Sequence, residues 1–135
     1  MSKLAAKQGD PITSMPPGDI HIIMVPSPGG PVPTPIPHPF NGIINGNLSS
    51  NVRIEKRPAA TVGSTATNTP PHIPQGGPFQ IPPTNKGTIL VGSSTVFINR
   101  KPAARTGDQA QTCADPVPNP NSRVVVPGGT VFIGG

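Results

Sequence analysis

Thr95-Val96-Phe97-Ile98-Asn99-Arg100-Lys101-Pro102-Ala103-Ala104-Arg105-Thr106-Gly107-Asp108 is the stretch on which the reading of this chain turns, because it recurs. Asn51-Val52-Arg53-Ile54-Glu55-Lys56-Arg57-Pro58-Ala59-Ala60-Thr61-Val62-Gly63-Ser64 repeats its pattern. A third copy is divided between the termini. Leu4-Ala5-Ala6-Lys7-Gln8-Gly9-Asp10 supplies its second half and Thr130-Val131-Phe132-Ile133-Gly134 its first. Self-similar units of this kind bury a shared core by packing on their neighbours. If the last strand pairs beside the first residues, the three copies close into a ring. The expectation is one closed, pseudo-threefold domain spanning residues 1–135.

Without that periodicity the composition argues for disorder. Twenty-two prolines and sixteen glycines in 135 residues are a low-complexity signature when no repeat accompanies them. Glycine does not fall at every third position, which excludes a collagen helix. Only ten Lys and Arg and five Asp and Glu are present, so charge repulsion gives no reason to stay expanded. With no Trp, no Tyr and four Phe, the core must come from Val, Ile and small residues. A core that thin calls for a second source of stability, such as a metal or a partner.

The net charge of +5 is spread along the chain. Basic pairs precede the Ala-Ala dipeptides (Lys56 and Arg57, Arg100 and Lys101), but no aromatic platforms accompany them, so they read as solvated turn flanks and not as a nucleic-acid surface. No signal peptide or transmembrane run is visible, and a single cysteine, which excludes an internal disulfide, suits synthesis in a reducing compartment. The chain ends almost immediately after the last repeat strand, so no fused toxin domain is expected.

Strands are expected at 20–25, 51–55, 88–91, 95–99, 123–126 and 130–133, and no stretch has a helical period. From Pro26 to Pro39, proline alternates with small or apolar residues. This reads as an extended polyproline-type loop over the surface and excludes a central strand. Asn41-Gly42 and Asn45-Gly46 suggest consecutive tight turns, and residues 63–87 read as a long loop. Alternation in the repeat strand puts Val52 and Ile54, Val96 and Ile98, and Val131 and Ile133 toward the core. Arg53, Phe97 and Phe132 then form either a second buried layer or a surface covered by another protein.

The chemistry lies in the loops after each Ala-Ala pair. His21 comes 12 residues after Gly9, His72 comes 9 after Gly63, and Cys113 comes 6 after Gly107. Three equivalent loops around a threefold axis would bring these side chains together, and His38 from the proline-rich insertion is placed to close a fourth position. Four N and S donors suit tetrahedral Zn²⁺. No two of them stand at a finger-like interval, so the alternative of three ordinary histidines and one buried thiol stays open here. A four-ligand site is closed and has no place for a metal-bound water, which makes it structural.

Pro102-Ala103-Ala104-Arg105, followed by Thr106-Gly107-Asp108 and preceded by Val96-Phe97-Ile98-Asn99, resembles the signature of the PAAR-repeat family, and Val131-Phe132-Ile133-Gly134-Gly135 resembles its usual ending. The resemblance implies a small, all-β, cone-shaped fold with long Pro/Gly-rich loops and a metal-stabilised apex. It implies a zinc, with iron not excluded, held by His21, His38, His72 and Cys113. It also implies a spike tip: one chain on the blunt end of a trimeric β-helical spike, of the valine-glycine-repeat (VgrG) or phage-spike type, in a type VI secretion or phage-tail-like contractile machine. Such a tip meets the target membrane during puncture and has no catalytic residues; with no toxin domain expected, any effector cargo would be attached non-covalently or carried elsewhere. It would be made in the cytoplasm and delivered outside the cell with the injection apparatus. Departures from the family pattern are Leu4 for Pro, Lys7 and Thr61 for Arg, Ser64 for Asp, and the long insertion from Pro26 to Pro39.

Two other classes compete. A small zinc hydrolase would need an open coordination position and a nearby carboxylate base, for which Asp10, Asp19, Asp108 and Asp115 are available. A proline-rich adaptor would use an extended segment such as Pro31 to Pro39 to bind aromatic grooves.

Overall fold

A computed structural model describes residues 2–16, 18–74, 76–114 and 117–134, and every regular element among them is a strand. The three copies of the repeat begin with two-residue hairpins. Strands β6 (Arg53–Ile54) and β7 (Arg57–Pro58) form one, and β10 (Phe97–Ile98) and β11 (Lys101–Pro102) form another. In both, the two linking residues have positive φ: Glu55 and Lys56, then Asn99 and Arg100. That backbone matches the twist of the flanking strands. The third hairpin is assembled from the two ends of the chain. Strand β14 (Phe132–Ile133) pairs antiparallel with β1 (Lys3–Leu4), in the register Ile133↔Lys3 and Phe132↔Leu4 that mirrors Ile98↔Lys101 and Phe97↔Pro102. The ring closes as the split repeat requires.

After each hairpin the Ala-Ala pair crosses the pseudo-threefold axis. Ala6 N–H donates to Ala104 O at 3.0 Å, Ala104 N–H to Ala60 O at 3.1 Å, and Ala60 N–H to Ala6 O at 3.1 Å. The cycle satisfies three backbone pairs that would otherwise be buried without partners. All three alanines are fully buried. Backbones meet so closely here that only a methyl side chain fits between them. A turn follows in each copy, with Gly9, Gly63 and Gly107 at φ of 93°, 93° and 86°, where a Cβ would be strained. Their N–H groups donate to Ile44, Ile89 and Val124, which in turn donate to the carbonyls of Asp10, Ser64 and Asp108.

Each turn launches two barrel strands. The first copy contributes β2 (Pro11–Ser14) and β5 (Asn41–Gly46), the second β8 (Thr65–Asn68) and β9 (Lys86–Ile89), and the third β12 (Gln109–Thr112) and β13 (Asn119–Val124). They close as β12-β13-β2-β5-β8-β9, three antiparallel hairpins side by side, which leaves no sheet edge unpaired in the barrel. The interior fills in layers. Ile12, Ala66 and Ala110 with Ile44, Ile89 and Val124 form the apolar part. Farther from the alanine ring, Phe40 fills the bore, and an added Cβ on Gly42 would come within 2.5 Å of its ring. A polar collar of Ser14, Asn68 and Thr112 follows.

A smaller cluster lies under the two-residue hairpins: Ala5, Ala59 and Ala103 with Ile54, Ile98 and Ile133, flanked by Val52 and Val96. The aliphatic positions thus face inward as alternation predicts, although Val131 is 37% exposed. On the opposite face Phe97 and Phe132 are 57% and 60% exposed and Arg53 is exposed, so they form a surface and not a second buried layer.

The insertion departs from expectation. Strands β3 (Asp19–Val25) and β4 (Val32–His38) form a seven-pair antiparallel arm from Asp19↔His38 to Val25↔Val32. Pro33, Pro35 and Pro37 stand opposite Met24, Ile22 and Ile20. Met24 N–H donates away from β4 to Pro78 O at 2.8 Å, and Ile22 O accepts from Gln80 N–H at 2.9 Å. The prolines therefore fall at positions that need no ladder donor, and β4 is an edge strand rather than a polyproline loop. Asn41–Gly46 is one barrel strand rather than two turns, because Gly42 serves the close approach of Phe40. The expected loop at 63–87 contains β8 and the start of β9, while β2 and β12 were not expected at all.

Candidate metal centre

The outgoing strands β2, β8 and β12 all run from the alanine ring toward the opposite end of the barrel, and the residues that follow them converge there. Beyond β2 the chain enters β3, where alternation puts Asp19 and His21 on one face. Beyond β8 comes His72, and directly after β12 comes Cys113. One donor atom from each of Asp19, His21, His72 and Cys113 lies within 4.8 Å of the other three. Cys113 Sγ is 3.7 Å from His21 Nε2 and 3.7 Å from Asp19 Oδ2, and His72 Nε2 is 3.5 Å from Asp19 Oδ2. Tetrahedral metal bonds of about 2.0 to 2.3 Å imply donor-to-donor edges of about 3.3 to 3.7 Å. These four residues can hold a metal ion.

His38 stands beside this group. Its ring centroid is 5.5 Å from that of His21 and 5.6 Å from that of His72. Its Nδ1 lies 2.8 Å from the Ile36 carbonyl, which can only accept, so Nδ1 carries the proton and the neutral ring keeps a lone pair on Nε2. That Nε2 is buried with no hydrogen-bond partner among the described residues, and so is His72 Nε2. Buried polar atoms left without partners are costly, and a histidine oriented by a carbonyl on one nitrogen and bare on the other has the arrangement of a metal ligand. The donor chemistry therefore fits a metal centre.

The collar braces the ligands from beneath. Thr112 Oγ1 donates to Asp19 Oδ1, and Asn119 Nδ2 donates to the same oxygen at 2.9 Å. Asn41 N–H donates to Asn68 Oδ1 at 2.9 Å, which sets Asn68 Nδ2 at 3.2 Å from His72 Nδ1. Asn85 Oδ1 accepts from His72 N–H at 2.8 Å. Burial, and then the Asp19 carboxylate beside it, push the Cys113 thiol up to about 11. Without a cation the sulfur is protonated at neutral pH; a bound ion would displace that proton. A small pocket of about 130 Å³, lined by His21, Pro82, Pro83 and Cys113 among others, borders the site.

His21, His72 and Cys113 of the sequence-derived set are thus brought together, with His38 adjacent. Sequence reasoning weighed Asp19 only as a catalytic base and did not find Asn68, Asn85, Thr112 or Asn119. The one available signal was the period of two that places Asp19 on the His21 face. Of the other carboxylates considered as bases, Asp10 and Asp108 lie in the repeat turns, paired with Lys7 at 3.3 Å and Arg105 at 2.8 Å. Asp115 lies outside the described residues, as does Gly135.

A family model described as the PAAR motif matches residues 80–135. The segment from residue 80 to 135 thus carries the PAAR motif. No curated protein matches the chain. The matched segment holds Cys113, the β10–β11 hairpin and the closing strand β14, and the other two copies reproduce its turn and axis hydrogen bonds. PAAR proteins are structural, non-enzymatic spike-tip components of contractile injection systems and associate with spike proteins.

Proposed function

We propose that all 135 residues act as one domain that caps a trimeric β-helical spike of the VgrG or phage-spike type. One chain sits on each trimer, the two-residue hairpins face the spike, and the barrel's far end leads into the target membrane. The observation that carries this reading is the base: three equivalent hairpins around a pseudo-threefold axis, with Phe97 and Phe132 more than half exposed. A symmetric trimer accepts such a base in three equivalent orientations, and exposed aromatic rings suit burial against a protein. At the far end the short strands give way to loops, and a zinc ion held by His21, His38, His72 and Cys113 would cross-link them. With its vertices occupied by protein, that ion supplies cohesion and no activated water. The chain is made in the cytoplasm and leaves the cell as part of the apparatus.

Mixing the purified chain with a trimeric spike and weighing the complex tests this reading. One chain per trimer is expected, and Phe97→Ser with Phe132→Ser should weaken binding more than tenfold while the melting temperature stays unchanged. Three chains per trimer, or binding indifferent to both phenylalanines, would overturn it.

A further inference from the structure

Three features set Asp19 apart from a structural carboxylate. It is fully buried, where an isolated charge is costly unless a cation accompanies it. Its two oxygens are used differently: Oδ1 accepts from Thr112 and Asn119, while Oδ2 accepts from the Cys113 thiol at 3.7 Å and faces His72 Nε2 at 3.5 Å, the donor-to-donor separations of a coordination shell. It is also the register partner of His38 across the β3–β4 arm, so the two side chains project from the same face of the sheet. A carboxylate and an imidazole thus reach the same side of the cluster.

We propose that Asp19 is itself a donor to the metal, binding through Oδ2, and that it and His38 are alternative occupants of one vertex. This rests on the metal-centre reading above. A divalent ion with the Cys113 thiolate and the buried Asp19 carboxylate makes a centre of no net charge. Neutrality lowers the cost of burying the centre. The Thr112 and Asn119 hydrogen bonds hold the carboxylate so that only Oδ2 is presented. The carboxylate oxygen also broadens the acceptable metals toward harder ions such as Fe²⁺.

The test is a set of four proteins, wild type, Asp19→Asn, His38→Ala and the double variant, each analysed for bound metal and titrated with Zn²⁺ against a competing chelator. Asp19→Asn preserves shape and loses the anionic donor. Each single variant should keep one ion per chain with affinity lowered about 10- to 100-fold, and the double variant should lose stoichiometric metal. Unchanged affinity in Asp19→Asn, alone and on the His38→Ala background, would overturn the proposal. Should the variants fail to fold, X-ray absorption on the zinc-loaded wild type decides. A shell with one sulfur and a carboxylate oxygen supports Asp19, whereas one sulfur with three imidazole nitrogens and no further light atom refutes it. A wild-type chain that binds no Zn²⁺, Fe²⁺ or Co²⁺ would instead remove the metal-centre reading itself.

Discussion

The two ends of this barrel are built from the same three repeats and held by opposite means. At the alanine ring the copies are interchangeable: Ala6, Ala60 and Ala104 exchange one hydrogen bond each, and the three glycine turns repeat to within 7° in φ. At the far end no two copies are alike. The first sends out a seven-pair arm carrying Asp19, His21 and His38, the second a loop carrying His72, and the third a cysteine directly after its strand. Backbone geometry closes one end and side-chain chemistry closes the other. Symmetry survives where the backbone makes the contacts, because the peptide group is common to every copy.

The largest expected effect is at the far end. Structural zinc is worth about 10 to 16 kcal/mol in apparent binding energy, comparable with the whole net stability of an ordinary domain. Chelation, or Cys113→Ser, should lower the melting temperature by on the order of 10 °C or more. Hydrogen exchange should then show His21 and Cys113 losing protection while Ala6, Ala60 and Ala104 keep theirs. Simultaneous loss at both ends would break the distinction drawn above.

Next come the repeat turns. Asp10 and Asp108 each accept the backbone N–H of the residue three earlier and pair with its cation, whereas the second copy does the same capping with neutral Ser64 and Thr61. Asp10→Ser alone leaves Lys7, only 8% exposed, with Glu55 at 4.0 Å as its remaining carboxylate and should cost about 1.5 to 3 kcal/mol in denaturant unfolding. Adding Lys7→Thr copies the second turn and should recover most of that loss. No recovery would mean that the charged pair does something the neutral one cannot.

Ala60→Leu should destabilise by about 1 to 3 kcal/mol through overpacking on the axis, with one metal per chain retained. The smallest effect on folding is expected from Phe97→Ser and Phe132→Ser, within about 0.5 kcal/mol, since their rings lie on the surface; a larger loss would show that they belong to the base's own core.

Ring closure, the inward aliphatic positions and the convergence of His21, His72 and Cys113 were legible in the chain because each depends on the repeat itself. The barrel strands β2, β8 and β12 were not. They are four residues long and built of Pro, Thr, Ala, Gln, Asn and Ser with hardly a β-branched aliphatic, so they are strands only because neighbours on both sides supply hydrogen bonds. The proline arm was misread for a related reason: proline forbids a central strand, and only the pairing partner reveals that every proline here faces outward.

What the amino-acid sequence settles unaided is the number of units, their cyclic order and the residue types able to bind a metal, since a repeat imposes equivalence on whatever it folds into. What tertiary structure alone decides is which donors meet. Asp19, His38 and the asparagine and threonine collar come within reach of one another through the closure of the barrel, which sets Asn119 against Asp19, 100 positions away, and no local pattern encodes a distance that the whole barrel sets.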